Sequence, residues 1–157
     1  MKKLFYLFTI LFAVLFAACD NGQYGQYVDL GLSSGTLWYS KNEGGDFARY
    51  TYDEAVSKFG NKLPTIEQLD ELKNQCTWIW MGSGYKVVGP NGNSIYLPAA
   101  GYRSCRGLVY GVGSGGYYWS SAPYGSDSAY YLYFNSGYVD MDYSGRCYGE
   151  SVRLVQD

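Results

Sequence analysis

The chain has 157 residues, among them 19 tyrosines, 21 glycines, four cysteines and no histidine. Its length suits one domain with a real core, and 47% hydrophobic against 17% charged residues is typical of a globular protein. The lack of histidine excludes Ser-His-Asp and Cys-His catalysis and histidine-bound zinc. A net charge of −2 offers no basic surface for nucleic acid. The excess of tyrosine therefore needs an explanation other than these chemistries.

The N-terminal segment has the pattern of an export signal. Two lysines precede an uncharged run from Leu4 to Ala18, and Cys19 follows. At ~1.5 Å per residue this run is too short to span a hydrocarbon core of ~30 Å, whereas its length and flanking residues are typical of a secretory signal peptide. An ordinary signal peptide cleaved near Ala18 would leave Cys19 as a free thiol.

The residues before this cysteine point to a second outcome. The segment Leu-Phe-Ala-Ala-Cys, which ends at Cys19, resembles a bacterial lipobox. The resemblance implies that residues 1–18 are removed, that Cys19 is lipidated, and that residues 19–26 form a short tether. We expect a protein anchored by its lipid in the outer membrane or at the cell surface.

A single folded domain is predicted for residues 27–157. It begins with two alternating segments, residues 27–32 and 35–40, separated by Ser-Ser-Gly. Alternation on both sides of a turn indicates a β-hairpin.

Two helices are predicted next because each has its own capping box. Thr51 is followed by Glu54, and Thr65 by Gln68, at the spacing in which each side chain caps the other residue's backbone. The first helix is expected to end near Gly60. The expected buried faces are Tyr52, Ala55, Val56 and Phe59 on the first helix, and Ile66, Leu69 and Leu72 on the second.

The rest of the chain has the pattern of short strands between glycine- and serine-rich segments. The strand candidates are residues 77–81, 84–89, 93–97, 117–121, 129–134, 138–142 and 151–155. Asn91-Gly92 predicts a hairpin between two of them. Within one candidate, Ala129, Tyr131 and Tyr133 should face one side and Tyr130, Leu132 and Phe134 the other. Strands, two helices and then many strands indicate an α+β fold.

Several segments together resemble a known family. They are YVDLGLSSGTLW, LPTIEQLDELKNQCTW, NGNSIYLPAAGYR, YYWSSAPYGSDSAYYLYF and GESVRLV, in that order. They resemble the Fibrobacter succinogenes major paralogous domain, which is common in lipoproteins of Bacteroidetes and Fibrobacteres. The resemblance implies a C-type-lectin-like fold, in which two helices flank a small antiparallel sheet and a loop-rich C-terminal half carries the binding surface. Two residues depart from the family pattern, Ala122 and Leu154.

The C-terminal half also resembles the variable regions of retroelement-diversified proteins from gut bacteria. Residues that such diversification produces are frequent in three segments, 104–106, 126–128 and 140–150. The alternative is a tyrosine-rich domain of the same family that is not diversified.

Eleven of the 19 tyrosines lie between Tyr102 and Tyr148, mixed with glycine and serine. This mixture is typical of protein surfaces that bind by large rigid contacts and adaptable hydrogen bonds. We expect Tyr118, Trp119, Tyr131 and Tyr133 to be mainly structural. The predicted ligand-binding residues are Tyr110, Tyr124, Asp127, Tyr138, Asp140, Asp142, Tyr143, Arg146 and Tyr148.

These residues predict non-covalent binding of a glycan or a cell-surface protein, with no catalytic residue, cofactor or nucleic-acid partner. The alternative is a structural component of the envelope, such as a pilus tip or an assembly partner. Asp140 and Asp142 share a strand face, but calcium needs more oxygen ligands, for which Asp127 and Glu150 are the candidates. We predict no metal site.

The cysteines remaining after lipidation are odd in number, which leaves one free thiol or an intermolecular bond. Cys105 and Cys147 both lie in the tyrosine-rich half and are the candidates for a disulfide. Cys76 is expected to be a small buried hydrophobic residue.

Overall fold

The computed structural model describes residues 25–157. The signal peptide predicted for residues 1–18, the lipidation of Cys19 and most of the predicted tether, residues 19–26, lie outside the described residues. Among the residues described, no helix is both long enough and apolar enough to cross a membrane.

The described part of the chain contains eleven strands and two α-helices. They are β1 (Tyr27–Asp29), β2 (Leu37–Tyr39), α1 (Tyr52–Phe59), α2 (Ile66–Gln75), β3 (Thr77–Trp80), β4 (Gly84–Val88), β5 (Ser94–Pro98), β6 (Tyr102–Arg103), β7 (Val109–Tyr110), β8 (Gly116–Tyr124), β9 (Ser128–Asn135), β10 (Tyr138–Gly145) and β11 (Val155–Gln156). A short 3₁₀ turn, Gly60–Lys62, follows α1.

The strands form four small sheets. In the first, β2 lies between β1 and β11, so the end of the chain closes against the predicted N-terminal hairpin. The second and third are the antiparallel meanders β3–β4–β5 and β8–β9–β10, and the fourth is the two-stranded hairpin β6–β7. The hairpin predicted at Asn91-Gly92 is confirmed, since Gly92 lies between β4 and β5 with a φ of 87°.

Both helices begin where their capping boxes predict. The Thr51 side chain accepts from the backbone N–H of Glu54, and Thr65 accepts from that of Gln68, with both reciprocal bonds present. The predicted buried faces are confirmed at most positions, with Tyr52 and Ala55 buried on α1 and Leu69 and Leu72 on α2. Val56 was wrongly placed on the buried face and is exposed.

The β8–β9–β10 sheet organises the hydrophobic interior. The predicted alternation along β9 is confirmed, because Leu132 and Phe134 enter one buried cluster with Leu69 and Leu72 of α2. Ala129 and Tyr131 enter a second cluster with Tyr52, Ala55 and Trp119. We call the side of the sheet that carries Tyr131 the pocket face.

The expected α+β, C-type-lectin-like fold is wrong. The structure is mostly β, with 41% strand and 16% helix, four small sheets, and two short helices that do not form the expected two-helix frame around one sheet. The helices have only eight and ten residues. The C-terminal half is also not loop-rich, since β8, β9 and β10 have nine, eight and eight residues. The strand candidates at residues 117–121, 129–134 and 138–142 were all shorter than the strands observed, because pairing with the neighbouring strand extends each of them.

Candidate functional site

Seven tyrosine rings form one contiguous group, which we call the tyrosine cluster. Neighbouring rings have centroids 4.9–6.0 Å apart, within the range of favourable aromatic contacts. The members of the tyrosine cluster are Tyr102, Tyr110, Tyr117, Tyr131, Tyr133, Tyr138 and Tyr148.

Strand register places the middle of this cluster on one side of the sheet. Tyr117 of β8 lies opposite Tyr133 of β9, with ring centroids 5.0 Å apart. Tyr131 precedes Tyr133 by two residues on the same strand, so both rings lie on the pocket face. Tyr138, at the start of β10, extends the row with a centroid 6.0 Å from Tyr133.

Two connections bring the remaining rings to the sheet. Arg103 and Gly149 exchange backbone hydrogen bonds of 2.8 Å in both directions. This pairing sets Tyr102 beside Tyr148, with ring centroids 5.8 Å apart. A side chain could not be placed at Gly149 without displacing Arg103, because a Cβ there would lie 2.7 Å from its Nε.

A disulfide fastens the same two segments. It joins Cys105 to Cys147 across 42 residues, with Cα atoms 5.0 Å apart. Cys76 is a free thiol, half-buried beside the core, and burial raises its pKa to about 11. The Cys76 thiol is therefore held in its protonated, unreactive form.

The cluster surrounds a pocket of about 430 Å³, which we call the tyrosine pocket. This volume lies within the range of small-molecule sites, roughly 300–1,000 Å³. Its lining residues are Tyr102, Tyr117, Tyr131, Ser144, Gly145, Tyr148 and Glu150.

Glu150 is the one acidic residue of the pocket lining, and it is 1% exposed. Its backbone is fixed by two hydrogen bonds of 2.9 Å with Tyr50. The Ser144 hydroxyl donates to Oε1 at 2.8 Å, whereas Oε2 has no hydrogen-bond partner among the described residues. A buried acceptor without a partner is costly, so Oε2 is an unsatisfied polar atom in the wall of the pocket.

The surroundings of Glu150 disfavour its ionised form. Burial is the main cause and the nearby Asp142 carboxylate adds to it, so that the pKa of Glu150 lies well above its usual range although the Ser144 hydrogen bond opposes the shift. Burial likewise raises the pKa of Tyr117 to about 12 and raises that of Tyr131. Both phenols therefore stay protonated at neutral pH.

The nine predicted binding residues do not form one site. Tyr148 lines the tyrosine pocket, Tyr110 and Tyr138 belong to the surrounding cluster, and Asp142 acts on Tyr131 and Glu150 electrostatically.

Two of the predicted tyrosines lie on the other side of the sheet. Tyr124 and Tyr143 stack with centroids 4.1 Å apart, and Tyr130 meets Tyr124 edge-on at 5.1 Å. Tyr143 lies opposite Tyr130 in the pairing of β9 with β10, and Tyr130 is the neighbour of Tyr131, which faces the pocket. Adjacent residues of a strand point to opposite sides, so Tyr130 and Tyr143 face away from the pocket. These three rings therefore form a separate aromatic group, away from the tyrosine pocket.

The charged members of the prediction are engaged in other contacts. Asp140 accepts from the Lys73 ammonium at 2.9 Å. The Arg146 guanidinium lies 5.1 Å from the centre of the Tyr52 ring and 3.8 Å from an Asp53 oxygen. Asp127 lies in the exposed turn between β8 and β9. Within residues 25–157, no three His, Cys, Asp or Glu side chains come close enough together to hold a metal ion.

The prediction missed most of the pocket lining. Tyr117 was not selected, and Tyr131 was assigned a structural role; it is buried, yet it also lines the pocket. Glu150 was considered only as a metal ligand, although it is the one acid in the closing segment GESVRLV, which ends in Val-Arg-Leu-Val. A single acidic residue directly before buried-type residues such as Val152 and Leu154 is the signal that could have identified it.

No curated protein matches the chain, and no solved structure does. A family model described as a domain of unknown function (DUF8237) matches residues 75–155. The matched segment contains every residue of the pocket lining and both cysteines of the disulfide. Because the match spans just over half of its length, the chain belongs to the DUF8237 family.

Proposed function

We propose that this protein is a lipid-anchored component of the outer membrane or cell surface that binds a glycan or a surface protein without chemically changing it. The contact surface is the tyrosine cluster, and the tyrosine pocket is its centre. The observation that supports this proposal most strongly is the continuity of the seven rings around a pocket with an unpartnered carboxyl oxygen.

The physical chemistry of this surface favours binding over structural packing alone. Tyr110 and Tyr138 are 48% and 52% exposed, so the ends of the cluster offer apolar area to a partner. Tyrosine gives a large, rigid contact with a polar tip at low entropic cost. Rings of this kind stack on sugars and pack against protein side chains equally well.

The proposed location depends on the sequence before the domain. The lipobox-like segment that ends at Cys19 would place several acyl chains on one residue, and each buried CH₂ contributes about 0.8 kcal/mol to membrane binding. Mass spectrometry of the mature protein should find Cys19 as an acylated first residue. Replacing Cys19 with serine should release the protein from the membrane fraction, and an unmodified N-terminus would contradict the anchor.

The binding proposal is tested with the full-length protein on an array of glycans and surface proteins. Replacing Tyr148 with alanine should weaken capture at least tenfold, because that ring lines the pocket. The matched control is Tyr143→Ala, which removes a ring from the opposite side of the sheet. This control should bind within about twofold of wild type, and circular dichroism should show both variants folded.

Two outcomes would overturn the proposal. Loss of capture by Tyr143→Ala with full capture by Tyr148→Ala would place the contact on the opposite side of the sheet. Absence of any ligand, together with co-purification of an envelope partner at fixed stoichiometry, would favour the assembly role instead.

A further inference from the structure

We propose that the tyrosine pocket recognises an organic ammonium group, and that Glu150 supplies the negative charge that pairs with it. The inference depends on the binding function proposed above and specifies the chemical class of the ligand. The partner would present a methylated ammonium, as in choline, and no covalent bond would form or break.

The aromatic lining fits a cation. Four tyrosines line the pocket, and their linked ring centroids lie 4.9–5.8 Å apart. A cation placed within about 6 Å of several ring centres is attracted by the negative potential of their faces, and quaternary ammonium ligands are recognised in cages of this kind. The pocket is large enough for such a group at about 430 Å³.

The charge of the pocket points to the same ligand. Glu150 is almost fully buried with Oε2 unpartnered, and the charged neighbour that acts on it most is another acid, Asp142. The pocket lining contains no lysine or arginine. An entering cation would bring the missing countercharge and so favour release of the Glu150 proton to solvent, because a buried carboxylate is stable only when it is paired.

The lining favours a methylated ammonium over a primary one, because it is mainly aromatic and its single acidic side chain has only one unpartnered oxygen. A primary ammonium has three N–H donors to satisfy, whereas a quaternary ammonium has none. The buried carboxyl offers one unpartnered oxygen, Oε2, because Oε1 already accepts from Ser144. Methyl groups would instead contact the tyrosine rings.

The test is a titration of the full-length protein at pH 8 with choline, with ethanolamine, and with 3,3-dimethyl-1-butanol, the neutral carbon analogue of choline. Isothermal calorimetry should give at least tenfold tighter binding of choline than of the neutral analogue, with ethanolamine in between. Glu150→Gln, which keeps the side chain's shape and its contact with Ser144, should weaken choline binding at least tenfold. The same variant should leave binding of the neutral analogue within about twofold.

The matched control is Asp127→Asn, which removes the same charge from an exposed turn and should not change choline binding. Equal affinity for choline and its neutral analogue, or full choline binding by Glu150→Gln, would overturn the inference. Either result would leave the proposed function standing if Tyr148→Ala still weakened capture on the array at least tenfold. Loss of the Tyr148 effect itself would mean that the binding site, and not only its ligand class, was misplaced.

Discussion

The disulfide between Cys105 and Cys147 should contribute several kcal/mol to the stability of the domain. Replacing both cysteines with serine frees a segment of 42 residues in the unfolded chain. The chain-entropy relation for a closed loop of this size gives about 13 cal/mol/K, or about 4 kcal/mol at 25 °C. Because strain and residual unfolded structure reduce this value in practice, we expect a loss of about 2–4 kcal/mol.

Urea unfolding followed by tryptophan fluorescence measures this loss. The double variant should unfold at a lower urea concentration, and reducing agent should move the wild type to the same midpoint. The control is Cys76→Ser, which alters a half-buried free thiol and should cost about 1 kcal/mol or less. A double variant within about 1 kcal/mol of wild type would refute the reasoning that this bond restricts the unfolded chain.

Three further predictions concern buried groups. Asn42→Ala removes the Oδ1 atom that accepts hydrogen bonds from Arg153 at 2.6 and 3.0 Å. Because the Arg153 guanidinium is buried, this change should lower the free energy of unfolding in urea by about 2–3 kcal/mol, and a loss below about 0.5 kcal/mol would contradict the reasoning. Gly116→Ala would place a Cβ 2.0 Å from the buried Phe134 ring and should cost about 1–3 kcal/mol, seen as a thermal midpoint several degrees lower; an unchanged midpoint would show that the ring can move. Burial raises the pKa of Glu150 in the folded state, so above about pH 4.5 the folded protein holds a proton that the unfolded chain has released. The free energy of unfolding should therefore fall as pH rises, by up to about 1.4 kcal/mol per pH unit, until the raised pKa is passed. Glu150→Gln should lack this loss, and a difference from wild type in unfolding free energy that stayed the same at pH 5 and pH 8 would contradict the assignment.

Sequence reasoning succeeded where a signal is local. Thr51 and Thr65 begin helices because their capping partners lie three residues away, and the Asn91-Gly92 turn needs only its own backbone. Alternation along β9 likewise predicted which side chains share a face.

The strand lengths depend on pairing with neighbouring strands, which local composition does not reveal. The strand candidate at residues 138–142 was too short, because pairing with β9 continues the strand through Tyr143 to Gly145. The predicted closing strand, residues 151–155, is reduced to β11 at Val155–Gln156. In the segment Tyr138–Gly145, pairing with β9 outweighs the weak strand propensity of its aspartate, serine and glycine residues.

The pocket could not be assembled from the sequence for the same reason. Tyr102 and Tyr148 lie far apart along the chain and meet through the Arg103–Gly149 pairing. The burial of Glu150 follows from that contact and from its pairing with Tyr50. Composition drew attention to the C-terminal tyrosines, but only the strand register separates those of the pocket from Tyr143 on the other side.

The most direct measurement of the central claim is an NMR titration of the tyrosine ring signals with choline. Binding in the tyrosine pocket predicts saturable shifts of the four lining tyrosines, with Tyr124 and Tyr143 unchanged on the opposite side of the sheet. The same titration of Glu150→Gln should need at least tenfold more choline to reach the same shifts. Shifts confined to Tyr124 and Tyr143, or no saturable shift of any ring, would contradict the claim that this pocket is the binding site for an ammonium group.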